Sequence, residues 1–128
     1  MSPTWLLKSV VLAIHQEQLA EHGGLPGVRD EARLDAALDR PRNLEAYGKP
    51  DIFDLAAAYA FGLCQGHAFI DGNKRTSFVA AELFLDLNGC ELDADDADCV
   101  MTWLAMADGS MTEPEIAAWL RKHGSLKR

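Results

Sequence analysis

The chain has 128 residues, 48% of them hydrophobic, with a formal net charge of −8 and a pI near 4.8. That length fills one hydrophobic core and hardly two, so a single domain over 1–128 is expected. So acidic a surface repels a phosphate backbone, and no apolar run approaches the roughly 20 residues of a bilayer-spanning helix, which disfavours nucleic acid and membrane as partners.

Ser2-Pro3 reads as an N-cap followed by proline in the first helical position. Leu7, Val10, Val11, Ile14 and Leu19 then recur at helical spacing to about Glu21. Only Lys8 precedes a short apolar stretch, and no small-residue cleavage site follows, so a secretory signal is not expected. Gly23-Gly24-Leu25-Pro26-Gly27 breaks the helix into a flexible loop. A second helix is expected from about Asp30 to Asp39, with Leu34 and Leu38 on one face and Pro41 as its end. Residues 41–50 then read as a connector. Asp51 is a plausible N-cap for a helix over about 52–65, whose centre of Ala56, Ala57, Ala58 and Ala60 permits close helix packing.

A fourth helix is expected from Asn73 to Asn88, stopped by Gly89 and apolar nearly all round, which predicts a buried position. Two more follow, about 94–107 and 113–123, the last with a capping box of Thr112 and Glu115 and with Pro114 in its first turn. Trp103, Met106, Ile116, Trp119 and Leu120 read as core-facing. No strand signal, repeat or low-complexity segment is evident. The expected fold is all-α, a compact bundle of about six helices.

Cys64, Cys90 and Cys99 are odd in number and lack a C-x-x-C spacing, which argues against a disulfide framework or a zinc site and suits a reducing cytoplasm. Glu91, Asp93, Asp95, Asp96 and Asp98 read as a solvated acidic face. Arg121, Lys122, Lys127 and Arg128 read as a soluble basic end. His15, His22 and His123 read as structural or surface residues.

The chain is organised around His67-Ala68-Phe69-Ile70-Asp71-Gly72-Asn73-Lys74-Arg75-Thr76. This polar cluster between two apolar helices belongs in a loop that opens onto a helix N-terminus, where N–H groups and the dipole favour an anion such as phosphate. His67 is a candidate base and Asp71 a candidate hard-metal ligand; Asn73, Lys74 and Arg75 are candidate phosphate donors. Asp71 could instead cap the following helix, and Asn73 could orient the loop. Gly72 lets the backbone approach a ligand closely. Lys74 and Arg75 oppose the helix dipole unless an anion neutralises them. Phe69 reads as an apolar anchor, Ile70 as a second anchor or a residue beneath the site, and Thr76 as part of the first helical turn. The chain has neither G-x-x-x-x-G-K-[ST] nor a kinase-type G-x-G-x-x-G, which excludes kinases of those folds.

The string HAFIDGNKRT resembles the HxFx(D/E)xNKR signature of the Doc toxins, a branch of the Fic superfamily. The likeness extends to His15 through Gly24, Gly27-Val28-Arg29-Asp30, Leu34 to Leu38 with Arg40-Pro41, and Leu87-Asn88-Gly89, so it covers most of the first ninety residues. The C-terminal third adds little to it. The resemblance implies a Fic/Doc-like bundle with the active loop between two central helices. It also implies a toxin of a toxin–antitoxin system, a protein Ser/Thr phosphotransferase dependent on ATP and Mg²⁺. By this resemblance His67 activates the acceptor hydroxyl, Asp71 holds Mg²⁺, and Gly72, Asn73, Lys74 and Arg75 bind nucleotide phosphate, with His67, Lys74 and Arg75 the catalytic set.

Lysine at 74, where the wider Fic group has a small glycine, implies γ-phosphoryl transfer in place of AMP transfer by the same fold. A catalytically silent binding module is the third reading. Implied partners are elongation factor Tu as substrate and a Phd-type antitoxin that lays a helical segment in a groove. Gly23–Asp30 would form a flap beside the site. Ser77-Phe78-Val79 departs from relatives that carry a further polar residue near the phosphates.

Overall fold

In the computed structural model, which describes residues 2–127, the chain folds as α1 (Lys8–His22), α2 (Glu31–Tyr47), α3 (Ile52–Gln65), α4 (Asn73–Leu87), α5 (Asp96–Ala107) and α6 (Glu113–His123). Two short strands join them, β1 (Cys90–Leu92) and β2 (Gly124–Leu126). The expected all-α bundle is thus observed. Arg128, read as part of the basic end, lies outside the described residues.

α3 is the centre. Ala56, Ala57, Ala58, Tyr59 and Ala60 are wholly buried, and the small alanine side chains let α2 and α4 lie close on either side. A Cβ added at Gly62 would stand 3.3 Å from the Cα of Ala37, so backbone meets backbone where α2 crosses α3. Local chemistry starts α3: Asp51 accepts from the N–H of Asp54, whose carboxylate accepts in return from the N–H of Asp51. The same reciprocal box, Thr112 with Glu115, starts α6. Trp103, Met106, Ile116 and Leu120 are buried as expected, while Trp119 is half-buried.

Several expectations are corrected. α1 begins at Lys8, not at Ser2-Pro3, and its first flanking residue, Leu7, is extended. The preceding arm is held by distant partners. Thr4 exchanges hydrogen bonds with the Asn88 side chain (2.7 and 3.0 Å), the Leu6 N–H donates to the Tyr59 hydroxyl at 3.1 Å, and Leu6 is buried. Those contacts outweigh a local start signal.

α2 does not stop at Pro41 but runs through it to Tyr47, so most of the expected connector is helix. Pro41 lies on the buried stripe of Leu34, Ala37 and Leu38, and burial of that stripe offsets the one missing backbone bond. The structure also contains strands, which were not expected. β1 and β2 pair antiparallel, Cys90 with Leu126, Glu91 with Ser125 and Leu92 with Gly124. Three residues are too few to display a two-residue period.

α4 is also less enclosed than its composition suggests: Lys74, Glu82, Asp86 and Leu87 are exposed. Cys64 and Cys90 are buried and Cys99 half-buried, all as free thiols. Among the described residues, no helix is long and apolar enough to cross a membrane.

Candidate active site

The loop between α3 and α4 begins at Gly66, whose N–H closes α3 onto the Gly62 carbonyl at 2.9 Å. His67 follows with φ +48°, the sole non-glycine residue of positive φ among the described residues, and is exposed. A conformation so disfavoured for an L-residue is found where the surroundings impose it, and such positions cluster at functional sites.

The surroundings here are well defined. Ala68 and Phe69 are buried, and Phe69 forms an antiparallel bridge with Val28. Arg29 and Asp30 donate to the Ala68 carbonyl (2.7 and 3.1 Å), and Ile70 donates to Gly27 (3.1 Å). The expected flap segment is therefore stitched to the loop along its second half. Asn73 clamps the other side: its Oδ1 accepts from the Phe69 N–H at 3.0 Å and its Nδ2 donates to the Phe69 carbonyl at 2.9 Å.

His67, Asp71, Gly72, Asn73, Lys74 and Arg75 line one cavity of about 320 Å³, with Cys64, Ile70 and Ala107 completing the wall. The floor is the start of α4. Gly72, in the left-handed conformation, is its N-cap; no side chain caps the helix and its first turn holds no acid. Lys74 and Arg75 form no ion pair among the described residues. Uncapped N–H groups, the positive end of the dipole and two unneutralised cations together favour a multiply charged anion.

Each predicted site residue can now be placed. Asn73 spends its amide on the loop, so of its two expected roles the structure displays the orienting one. Asp71 does not cap α4 by its side chain in the expected way. Its Oδ1 accepts from the neighbouring Gly72 N–H (2.8 Å) and its Oδ2 from the Leu25 N–H (3.2 Å). Arg75 donates to the Gly23 carbonyl at 3.0 Å, and its Nε is buried with no partner, an orphaned donor at the cavity wall. Lys74 is exposed.

Ile70 does not anchor the loop to the core; it is about half exposed and lines the cavity. Phe69 is the anchor and Thr76 sits buried in the first turn of α4, both as expected. Among the described residues no three His, Cys, Asp or Glu side chains converge. A divalent ion here would take one carboxylate from the protein and its remaining ligands from phosphate and water, the arrangement magnesium favours.

His15, expected to be structural or on the surface, is structural, and it packs directly behind this site. It is buried on α1, stacked on Phe69 and hydrogen-bonded to the Asp71 carbonyl. The available signal was its spacing, four residues after the buried Val11. Ser77 is also buried. It turns inward, donating to the Lys74 carbonyl at 2.7 Å and accepting from the Trp103 indole at 2.9 Å. A second, largely apolar groove of about 360 Å³ runs between α1, α4 and α5, lined by Phe78, Val79, Val100, Trp103 and Leu104 and sharing Lys74 and Arg75 with the first cavity.

A sequence model of the Fic/DOC family matches residues 5–85, a span that holds the loop and nearly all of α1 to α4. The chain is 33% identical over 113 residues to "Protein kinase doc" of Escherichia phage P1, covering 88% of this chain and 89% of that one. It is 43% identical over 94 residues to "Toxin Doc" of Mycolicibacterium smegmatis, covering 67% and 71% respectively.

Proposed function

Since this chain belongs to the Fic/DOC family, in its Doc branch, we propose that it is the toxin of a toxin–antitoxin pair and a cytoplasmic protein Ser/Thr phosphotransferase using ATP and Mg²⁺. The observation that carries the reading is the convergence of His67, Asp71, Lys74 and Arg75 on one cavity at the uncapped start of α4. That the phage P1 relative is a protein kinase by name supports phosphoryl transfer over AMP transfer.

His67 accepts the proton of a serine or threonine hydroxyl as that oxygen bonds to the γ-phosphorus and the bond to the bridging oxygen of ADP breaks. Lys74, Arg75 and the first N–H groups of α4 hold the oxygens over which negative charge spreads. Asp71 would hold magnesium, which when bound neutralises charge on the phosphates. Gly72 keeps the backbone clear of the nucleotide, and Asn73 holds the loop in register.

The protein substrate proposed is elongation factor Tu. The partner is a Phd-type antitoxin whose amphipathic helix would lie in the apolar groove between α1, α4 and α5. An occupant of that groove would reach Lys74 and Arg75, which fits a partner that silences the site.

Intact-mass measurement of elongation factor Tu after incubation with this protein, ATP and Mg²⁺ tests the reading, with His67→Ala as control. One added phosphoryl group, absent with the control, is the expected result. An added AMP would replace phosphoryl transfer by nucleotidyl transfer. No change in mass together with no nucleotide binding would leave a silent binding module.

A further inference from the structure

We propose that His15 is a positioning residue whose Nε2–H locks the peptide plane between Asp71 and Gly72, and so fixes where the Asp71 carboxylate points. The inference rests on the reading of Asp71 as the magnesium ligand. His15 is 3% exposed, and its ring lies almost parallel to that of Phe69, with centroids 3.8 Å apart and planes 10° apart. Its Nε2 is 2.8 Å from the Asp71 carbonyl oxygen, 56 residues along the chain. A carbonyl oxygen only accepts, so the proton resides on Nε2 and the partner sets the tautomer.

The Asp71 C=O and the Gly72 N–H belong to one rigid amide. His15 holds its carbonyl end, and its N–H end donates to Asp71 Oδ1 at 2.8 Å. Local conformation alone does not hold this plane, because glycine adopts either sign of φ at similar cost and Gly72 stands at +79°. A flip would swing the N–H away from Oδ1 and leave the Asp71 carboxylate with the Leu25 N–H alone to orient it. The stack supplies the other half of the device. Phe69 is itself fixed by Asn73 at both its N–H and its C=O, so the imidazole rests on an immobile face and its edge is aimed.

Two substitutions separate the contacts. His15→Phe keeps the stack and loses the donor; His15→Gln loses the ring and keeps an amide donor at similar reach. Calorimetry of ATP binding with and without Mg²⁺ is run on both variants and on Asp71→Asn, alongside ¹⁵N shifts of the His15 ring and the Gly72 amide resonance. The proton of wild-type His15 is expected on Nε2. His15→Phe is expected to bind Mg·ATP about 3- to 10-fold more weakly, the loss of one hydrogen bond, with a displaced Gly72 resonance. His15→Gln is expected to recover most of the affinity.

A proton on Nδ1, or wild-type affinity with an unmoved Gly72 resonance in His15→Phe, overturns the lock. Failure of the metal reading looks different: Asp71→Asn would keep the wild-type magnesium dependence, and the Gly72 resonance would still decide for or against the lock. Should His15→Phe not fold, the ring tautomer and His15→Gln decide: a proton on Nε2 with near-wild-type affinity in the glutamine variant upholds the lock.

Discussion

The main-chain N–H of Leu25 donates to Oδ2 of Asp71 at 3.2 Å, so the glycine-rich loop after α1 rests directly on the proposed metal ligand. Gly24 makes that approach possible. With φ +129°, it lies where a Cβ would stand 2.8 Å from Asp71 Oδ2 and 2.9 Å from Leu19 Cδ2. Gly24→Ala is expected to lift the loop from the carboxylate, lowering phosphotransfer by roughly tenfold or more through misplacement of Asp71. Stability should fall by about 1–3 kcal/mol. Urea unfolding and a phosphorylation assay read the two effects, and unimpaired transfer would show that the loop does not position Asp71.

His67 pairs a strained backbone with a proposed catalytic side chain. His67→Gly should relieve roughly 1–2 kcal/mol of left-handed strain, set against about 0.4–1 kcal/mol of extra freedom in the unfolded chain. The variant is therefore expected to be as stable as wild type or slightly more so, while transfer falls by about 10²- to 10⁴-fold. Thermal melting that shows a clear loss of stability would mean that the φ of His67 carries no strain.

These two sites show what the sequence made legible and what it did not. His67 to Arg75 are contiguous, so their meeting in one cavity follows from a single loop. α3 and α6 are likewise signalled by local chemistry, the capping boxes at Asp51 and Thr112. The main failures are non-local. The start of α1 depends on Asn88 and Tyr59, and the persistence of α2 through Pro41 depends on burial. His15 and Leu25 reach Asp71 from 56 and 46 residues away, and one end of each contact is a backbone atom that leaves no trace in residue type.

Arg121 binds both carboxylates of the α3 cap, Asp51 and Asp54. Its guanidinium holds the Asp51 carboxyl below the usual value of 3.8. A depressed folded-state pKa contributes stability that is complete above the unfolded value and is lost as pH falls through the folded one. Because the partners are about half exposed, Arg121→Gln is expected to cost only about 0.5–1 kcal/mol at pH 7. The difference should shrink in strong acid, below the lowered folded value, where Asp51 is protonated in both states. Denaturant unfolding at the two pH values checks this; an undiminished penalty in acid would assign the effect to arginine packing.

Trp103, Ser77 and the Lys74 carbonyl form a buried hydrogen-bonded chain that ties α5 to the first turn of α4. Ser77→Ala strands the indole N–H without an acceptor and should cost about 1–3 kcal/mol. Trp103→Phe removes that donor, so the double variant should lose less than the sum of the singles, by about 1 kcal/mol. A double-mutant cycle in urea measures the coupling, and additive losses would mean that the bond contributes nothing.

The ladder of β1 and β2 has a consequence for how the molecule breathes. Lengthened by Asp93 N–H to His123 O and Lys127 N–H to Gly89 O, both 2.9 Å, it closes residues 89–127 into a ring of chain that encloses α5 and α6. A helix enclosed in this way does not fray alone: opening α6 requires that ladder to part and the buried face of α6 to leave α3, so in amide exchange the ring and the core are expected to open together.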